Sequence, residues 1–139
     1  QKKSDYFLHL REVRCESTPG YELGAMVSLD NVVFDESTTV SVTGTSSGRG
    51  YQGVVKRLGY TGGPATHGSM FGRRPGAIGS MRTQGEVIKG KGLPGHMGVD
   101  TVTVRGLRVV KIDHANGVIL VKGAVPGRKN SLLYVSKQG

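Results

Sequence analysis

The sequence predicts a small all-β protein, either a barrel or a sandwich. Short segments rich in β-branched residues recur with turn signals about every eight to twelve residues. No segment shows a convincing helical period. The apolar content is 36% and Trp is absent, so a modest core of Val, Leu and Ile is expected. At 139 residues, the chain is expected to form a single domain, 1–139.

The predicted strands fall into two blocks on either side of an irregular stretch. The first block, 6–57, contains the predicted strands 6–14, 25–29, 38–42 and 51–57. The second block, 99–135, contains the predicted strands 101–104, 107–112, 117–122 and 131–135. Asn116-Gly117 predicts a hairpin turn because this pair readily adopts positive φ. The two blocks are expected to form the barrel, and 58–98 to leave it as an extended loop.

The stretch 44–98 has an unusual composition. It holds 16 of the 23 glycines and 8 of the 19 Lys and Arg residues, and its only acidic residue is Glu86. A long segment without regular structure is uncommon inside a compact domain. Glycine allows a backbone to approach another surface closely, and arginine binds phosphate through a planar fork. The combination predicts a chain threaded against a polyanion.

The charge distribution indicates the class of partner. The net charge is +9 and the sequence pI is about 10. Residues 1–43 carry 4 basic and 7 acidic groups, 44–98 carry 8 and 1, and 99–139 carry 7 and 2. Nucleic acid is the first candidate and an anionic membrane surface the second. No apolar run approaches the length of a membrane helix. Neither a membrane nor a small-molecule substrate is among the predicted partners.

The candidate RNA-binding residues are cations and two histidines. A solvated charged face is the alternative, but these cations alternate with glycines rather than with acids, which favours RNA contact. The predicted set is Arg49, Lys56, Arg57, His67, Arg73, Arg74, Arg82, Lys89, Lys91, His96, Lys122, Arg128 and Lys129.

Two glycine motifs raise the rival hypothesis of a nucleotide-dependent enzyme. Residues 48–53 match G-x-G-x-x-G, but 54–59 is predicted to be too short and too glycine-bounded for a helix. An acid is also missing about 20 positions further on. Residues 85–91 match the first seven positions of a P-loop, yet Gly92 replaces the Ser or Thr that holds Mg²⁺. No cofactor is therefore predicted.

The remaining reactive side chains give no catalytic or metal pattern. The four histidines share no metal-like spacing with one another or with Cys15. Cys15 ends an alternating run and is predicted to be a structural thiol, and a single cysteine excludes an internal disulfide. Since Glu86 is the only acid in 44–98, that stretch offers no acid–base pair. An enzyme is not predicted.

Several ordered motifs resemble one family. Residues 42–57, V-T-G-T-S-S-G-R-G-Y-Q-G-V-V-K-R, are similar to the V-T-G-T-S-K-G-K-G-F-x-G-x-V-K-R signature of the universal large-subunit ribosomal protein L-three family. Further similar blocks lie at 65–68, 74–79, 85–98 and 121–127, so that the resemblance spans about 8–137. It implies a translation-protein-type β-barrel with a long extension. It also implies binding to large-subunit ribosomal RNA and neighbouring ribosomal proteins, with the extension directed toward the peptidyl-transferase centre.

The details of the resemblance favour a mitochondrial member. Residues 62–68, 73–78 and 126–130 look most like the mitochondrial branch, with a bacterial cytoplasmic ribosome as the alternative. The stretch 81–85 departs from the N-Q-T-P-G of bacterial members. The chain opens on Gln1, which predicts a piece of a longer protein. The functional alternative is a non-ribosomal RNA-binding barrel that acts as a chaperone or regulator.

Overall fold

A computed structural model describes residues 7–14, 20, 22–29 and 38–137. The chain divides into two compact units, 1–32 and 33–139. In the described part of the first unit, neither 7–14 nor 25–29 forms a strand, so those two strand predictions are wrong there. Side chains such as Leu8 and Met26 are exposed, and β-rich composition without a buried face does not stabilise a strand. Residue 6 and Cys15 lie outside the described residues.

The regular structure of the second unit is almost entirely strand, with one short helix, which confirms the all-β prediction. Its elements are β1 (Thr39–Thr45), β2 (Gly50–Gln52), α1 (Val54–Leu58), β3 (Gly95–Met97), β4 (Thr101–Asp113), β5 (Val118–Lys122) and β6 (Leu133–Lys137). Four strands form an antiparallel sheet in the order β5-β4-β1-β6, and β2 pairs with β3 in a separate two-stranded ribbon. Within residues 38–137 the larger sheet is open, with β5 and β6 at its edges.

The core lies on one face of the larger sheet. Val40 and Val42 alternate with more exposed residues along β1 and pack with Leu107 and Val109 of β4. Partly buried Val, Ile and Leu side chains of β4, β5 and β6 surround this cluster. The core is therefore modest and aliphatic, as its composition predicts. A Cβ on buried Gly44 would lie 2.6 Å from a methyl group of Leu133. Glycine at this position therefore leaves room for the Leu133 side chain to pack against β1.

Strand β4 joins two segments that the sequence separates. The predicted strands 101–104 and 107–112 form one strand of 13 residues, which pairs with β1 and then with β5. The register shifts by one residue where Val42 pairs with Val104 and Val40 with Leu107. Gly106, at φ 76°, lies in this irregularity, where a left-handed residue allows a bulge.

The C-terminal hairpin forms close to its predicted place. The turn closes with the Gly117 N–H donating to the His114 carbonyl over 3.3 Å. Of the predicted Asn-Gly pair, only Gly117 has positive φ, at 63°. β5 agrees with the predicted 117–122, and β6 lies two residues beyond the predicted 131–135.

The short helix α1 overturns two predictions. The predicted strand 51–57 divides into β2 and α1, and the helix forms where 54–59 was predicted to be too short for one. The flanking glycines favour the helix: Gly53 is the N-cap, and Gly59 ends it in the left-handed conformation at φ 72°. Val54 is fully buried, and this packing outweighs the β preference of its branched side chain.

Residues 59–94, here called the loop segment, contain turns and bends but no helix or strand. Backbone hydrogen bonds fix several of these turns, including Gly63 N–H to the Gly72 carbonyl and Arg74 N–H to the Phe71 carbonyl, both at 2.7 Å. The short strand β3 lies inside the stretch predicted to be irregular. Its three residues begin with glycine and carry no alternating pattern that could indicate a strand.

Candidate nucleic-acid interface

The loop segment begins and ends at the same small base, made of α1 and the β2–β3 ribbon. The Arg57 guanidinium donates from Nη1 to the Leu93 carbonyl at 2.8 Å and from Nε to the His96 carbonyl at 3.0 Å. Gly95 lies beneath it, since a Cβ there would be 3.3 Å from Cζ of Arg57. Arg57 thus ties the helix at the start of the loop segment to the strand at its end.

A second junction joins the ribbon to the larger sheet. Gly98 is buried at φ 85°, and a Cβ on it would collide with the Ser47 carbonyl and lie 2.9 Å from Cα of Gly48. The Val99 N–H donates to the Ser46 carbonyl at 3.1 Å, and the Ser46 N–H to the Asp100 carbonyl at 2.8 Å. The chain therefore leaves and re-enters the sheet as two tightly apposed backbones.

The predicted RNA-binding residues occupy three regions, and all thirteen side chains are exposed. Four lie at the base: Arg49, Lys56, Arg57 and His96. Six lie on the loop segment: His67, Arg73, Arg74, Arg82, Lys89 and Lys91. Three lie on or after β5: Lys122, Arg128 and Lys129.

The structure joins members of the base group most directly. The Arg57 side chain donates to the His96 carbonyl. The Arg49 N–H donates to the carbonyl of Met97, the residue after His96, at 2.9 Å. Lys122 instead lies opposite Arg108 in the β4–β5 ladder. Arg128 opens a turn that the Ser131 N–H closes on its carbonyl at 3.1 Å. The cations thus lie on several elements and do not form one compact pocket.

The loop segment is strongly cationic. It carries five Lys and Arg residues and a single acid, Glu86. Its ten glycines have no side chain to cover the backbone amides, and seven of them adopt positive φ. Exposed cations on such a backbone can approach phosphates closely.

Neither glycine motif has the geometry of a nucleotide site. In the 48–53 motif, Gly50 already belongs to β2, and α1, the helix that follows, has only five residues. After the 85–91 motif the described chain continues into strand β3 rather than into a helix. A P-loop cradles phosphate at the N-terminus of the helix that follows it, and no helix follows 85–91 in the described chain.

In the residues that the structure describes, no group of three or more His, Cys, Asp and Glu side chains could hold a metal ion. In the same residues, no helix has the length and apolar character needed to cross a membrane.

Aromatic side chains near the cations were not indicated by the sequence pattern. Tyr51 is 76% exposed and lies directly opposite His96 in the β2–β3 ribbon. Tyr60 and Phe71 border a groove of about 470 Å³ on the loop segment, together with Arg74. Alternation of aromatic residues with Gly-Gly-Pro and Gly-Arg-Arg-Pro is the one signal that could have identified this groove.

Together these features define a class: an all-β protein that carries a cationic, glycine-rich loop on a small ribbon. A sequence model of the family described as "Ribosomal protein L3" matches residues 23–138. The chain belongs to this family, which confirms the resemblance in the sequence motifs.

Curated bacterial relatives are named "Large ribosomal subunit protein uL3". The Geobacter sulfurreducens protein is 45% identical over 129 residues, 93% of this chain and 60% of the relative. The Macrococcus caseolyticus protein is 48% identical over 126 residues, which are 91% of this chain and 56% of the relative. The Syntrophotalea carbinolica protein is 46% identical over 131 residues, which are 94% of this chain and 62% of the relative. The chain spans about 60% of the length of the curated relatives it matches.

Proposed function

We propose that the protein is a structural constituent of the large ribosomal subunit that binds its ribosomal RNA. The observation that carries this proposal is the exposed, cationic loop segment, whose C-terminal end Arg57 ties back to α1, in a chain of this family. Its relatives are named for the large ribosomal subunit. Neighbouring large-subunit proteins are the further partners.

The thirteen exposed residues form the proposed RNA-binding surface. Phosphate contacts position a protein on RNA and depend on charge rather than on base sequence. Arg73, Arg74 and Arg82 are proposed as principal phosphate ligands, since they lie on the loop segment away from regular structure. Arg57 contributes less, because two of its donors already bind backbone carbonyls.

The proposed architecture is a translation-protein-type barrel with one extension. A single domain 1–139 would build the barrel from 6–57 and 99–135 and would project 58–98 into RNA. The open edges at β5 and β6 are compatible with closure by further strands. The far end of the extension, 76–85, would point toward the peptidyl-transferase centre.

The proposed role at that centre is support rather than catalysis. Residues 76–85 contain no acid, His or Cys, and therefore no group that transfers protons near neutral pH. Arg82 supplies a fixed positive charge, and the neighbouring side chains fill space. The RNA would perform the chemistry.

For the compartment, the named relatives are bacterial and do not support the mitochondrial assignment, which depends on motif resemblance alone. A free RNA-binding barrel remains the second candidate function, because exposed cations on a β scaffold do not require a ribosome.

Sedimentation with large subunits in high salt distinguishes these functions. A tagged chain expressed in cells should migrate with large subunits and stay bound when salt removes loosely held proteins. Replacing Arg73, Arg74, Arg82, Lys89 and Lys91 with Ala should move it to the top of the gradient. Release of the unmodified chain by the same salt wash would contradict a constituent of the subunit and favour a free RNA-binding protein.

A further inference from the structure

The groove on the loop segment has the character of a binding site. We propose that it takes one unpaired nucleobase of RNA, stacked on Phe71 and Tyr60, with the Arg74 guanidinium at the adjoining phosphate. The groove has a volume of about 470 Å³ and is lined by residues 60–64, by Phe71 and by residues 74–76. This inference rests on the proposed RNA-binding function and adds the chemical class of ligand at one site.

Close backbone contacts fix the floor of the groove. The Gly63 N–H donates to the Gly72 carbonyl at 2.7 Å. A Cβ on Gly62 would lie 2.5 Å from that same carbonyl oxygen, and one on Gly63 would lie 2.9 Å from Cβ of Phe71. The two passes of chain can approach this closely only because both positions are glycine. The shape of the groove therefore depends on glycine at these two positions.

The aromatic walls are held in place yet open to solvent. The Tyr60 hydroxyl lies against Gly92, where any side chain would collide with it. Tyr60 is 37% exposed and Phe71 is 60% exposed. The turn from Phe71 to Arg74 is closed by a 2.7 Å backbone hydrogen bond, and both residues line the groove. Pro64 and Pro75 add rigid apolar walls.

Charge indicates which occupant fits this groove. The loop segment has five Lys and Arg residues against one acid, so its surroundings favour an anionic partner. Bases that are splayed out of RNA stack on aromatic rings and on guanidinium planes, and their phosphates bind cations. A paired base keeps its faces within the helical stack, so the ligand is an unpaired nucleotide.

The chain contains no Trp, so a single introduced Trp can report on the groove by its fluorescence. Phe71→Trp would place a unique fluorophore in the groove, and Met70→Trp would place one beside it on a residue that does not line the groove. Each variant would be titrated with a single-stranded RNA oligonucleotide and with an abasic oligonucleotide of equal length. We expect the base-containing RNA to quench the fluorescence of Phe71→Trp and the abasic RNA to leave it unchanged. The control variant Met70→Trp should show no such difference.

Affinity measurements make the test independent of the fluorophore. Phe71→Ala should weaken binding to the base-containing RNA at least about fivefold, since stacking contributes about 1–3 kcal/mol per base. Met70→Ala, at a neighbouring position that is 78% exposed and does not line the groove, should change it less than about twofold. The unmodified chain should bind the base-containing RNA more tightly than the abasic one.

The outcomes separate this site from the proposed function. Equal binding and equal quenching with both RNAs would overturn the base site and leave RNA binding intact. Failure of the unmodified chain to bind either RNA would overturn both. If the fluorescence of Phe71→Trp responded to RNA-free ribosomal proteins but to neither RNA, the groove would belong to a protein partner and the inference would be overturned.

Discussion

The Arg57 guanidinium reaches the Leu93 carbonyl oxygen at 2.8 Å across 36 positions of sequence. Its second hydrogen bond, to the His96 carbonyl, lies at 3.0 Å on strand β3. One side chain of a five-residue helix therefore defines where the loop segment returns to the ribbon. A planar guanidinium can serve two carbonyls at once, which a lysine ammonium on a flexible stem does poorly.

Replacing Arg57 with Lys should therefore loosen the base of the loop segment although the charge is unchanged. We expect the free energy of unfolding to fall by about 1 kcal/mol, because hydrogen bonds with a charged donor are lost at an exposed site. Chemical denaturation measures this loss, and hydrogen exchange at α1 and β3 should show where it occurs. Lys56→Ala, on the same helix, serves as the control and should have little effect. Equal stability of Arg57→Lys and the unmodified chain would show that the two hydrogen bonds contribute nothing.

Gly98→Ala should be among the most disruptive single substitutions in the second unit. The added Cβ would meet the Ser47 carbonyl and Gly48, in a left-handed conformation that already strains any L-residue. A loss of at least about 2 kcal/mol in the free energy of unfolding is expected. Gly50→Ala is the matched control, since Gly50 has positive φ but nothing within 4 Å of its Cβ position. If both variants lose the same stability, the close approach at Gly98 has no cost of its own.

The β4–β5 hairpin should become less stable in acid through Asp113. Hydrogen bonds from the Asn116 side chain and then from its backbone N–H hold the pKa of this carboxyl below its ordinary value. A carboxyl with a depressed folded pKa stabilises the fold above its unfolded pKa, about 3.9, and this contribution is lost as pH falls through the folded pKa.

Asn116→Ala should raise the folded pKa of Asp113 toward its ordinary value, because it removes the largest cause of the shift. It should also reduce the acid-dependent loss of stability. An NMR titration of the Asp113 carboxyl carbon would measure the change. A pKa that stays depressed in the variant would show that the Asn116 side chain does not cause the shift.

Arg82→Ala should affect assembly far more than chemistry. If 76–85 supports the peptidyl-transferase centre without taking part in proton transfer, purified and fully assembled variant subunits should form peptide bonds less than about tenfold more slowly. The rate of peptide-bond formation is measured with a minimal pair of donor and acceptor substrates, which bypasses tRNA accommodation. A loss of roughly a thousandfold or more would contradict a purely structural role.

The strands with a clear two-residue period could be predicted from sequence, and the contact-dependent features could not. β1 alternates Thr, Val and Ser, and β5 is a run of branched residues, so both follow from local pattern. The Val54-Val55 start of α1 suggests a strand, and only flanking glycines and burial of Val54 make it a helix. The cations of the candidate site could be identified from composition. The Tyr60–Phe71 groove could not, because glycine contacts between separate turns bring those rings together.

The salt dependence of RNA binding tests most directly whether the loop segment is the phosphate-binding element. Replacing Arg73, Arg74 and Arg82 with Ala should flatten the slope of log K against log salt by about two to three, since each phosphate contact contributes roughly 0.7–0.9. A control that removes the same charge from β4, by replacing the exposed Arg105, Arg108 and Lys111 with Ala, should change the slope by less than about one. If the two variants bound large-subunit RNA with equal salt slopes, the claim that the loop segment holds the phosphates would be contradicted.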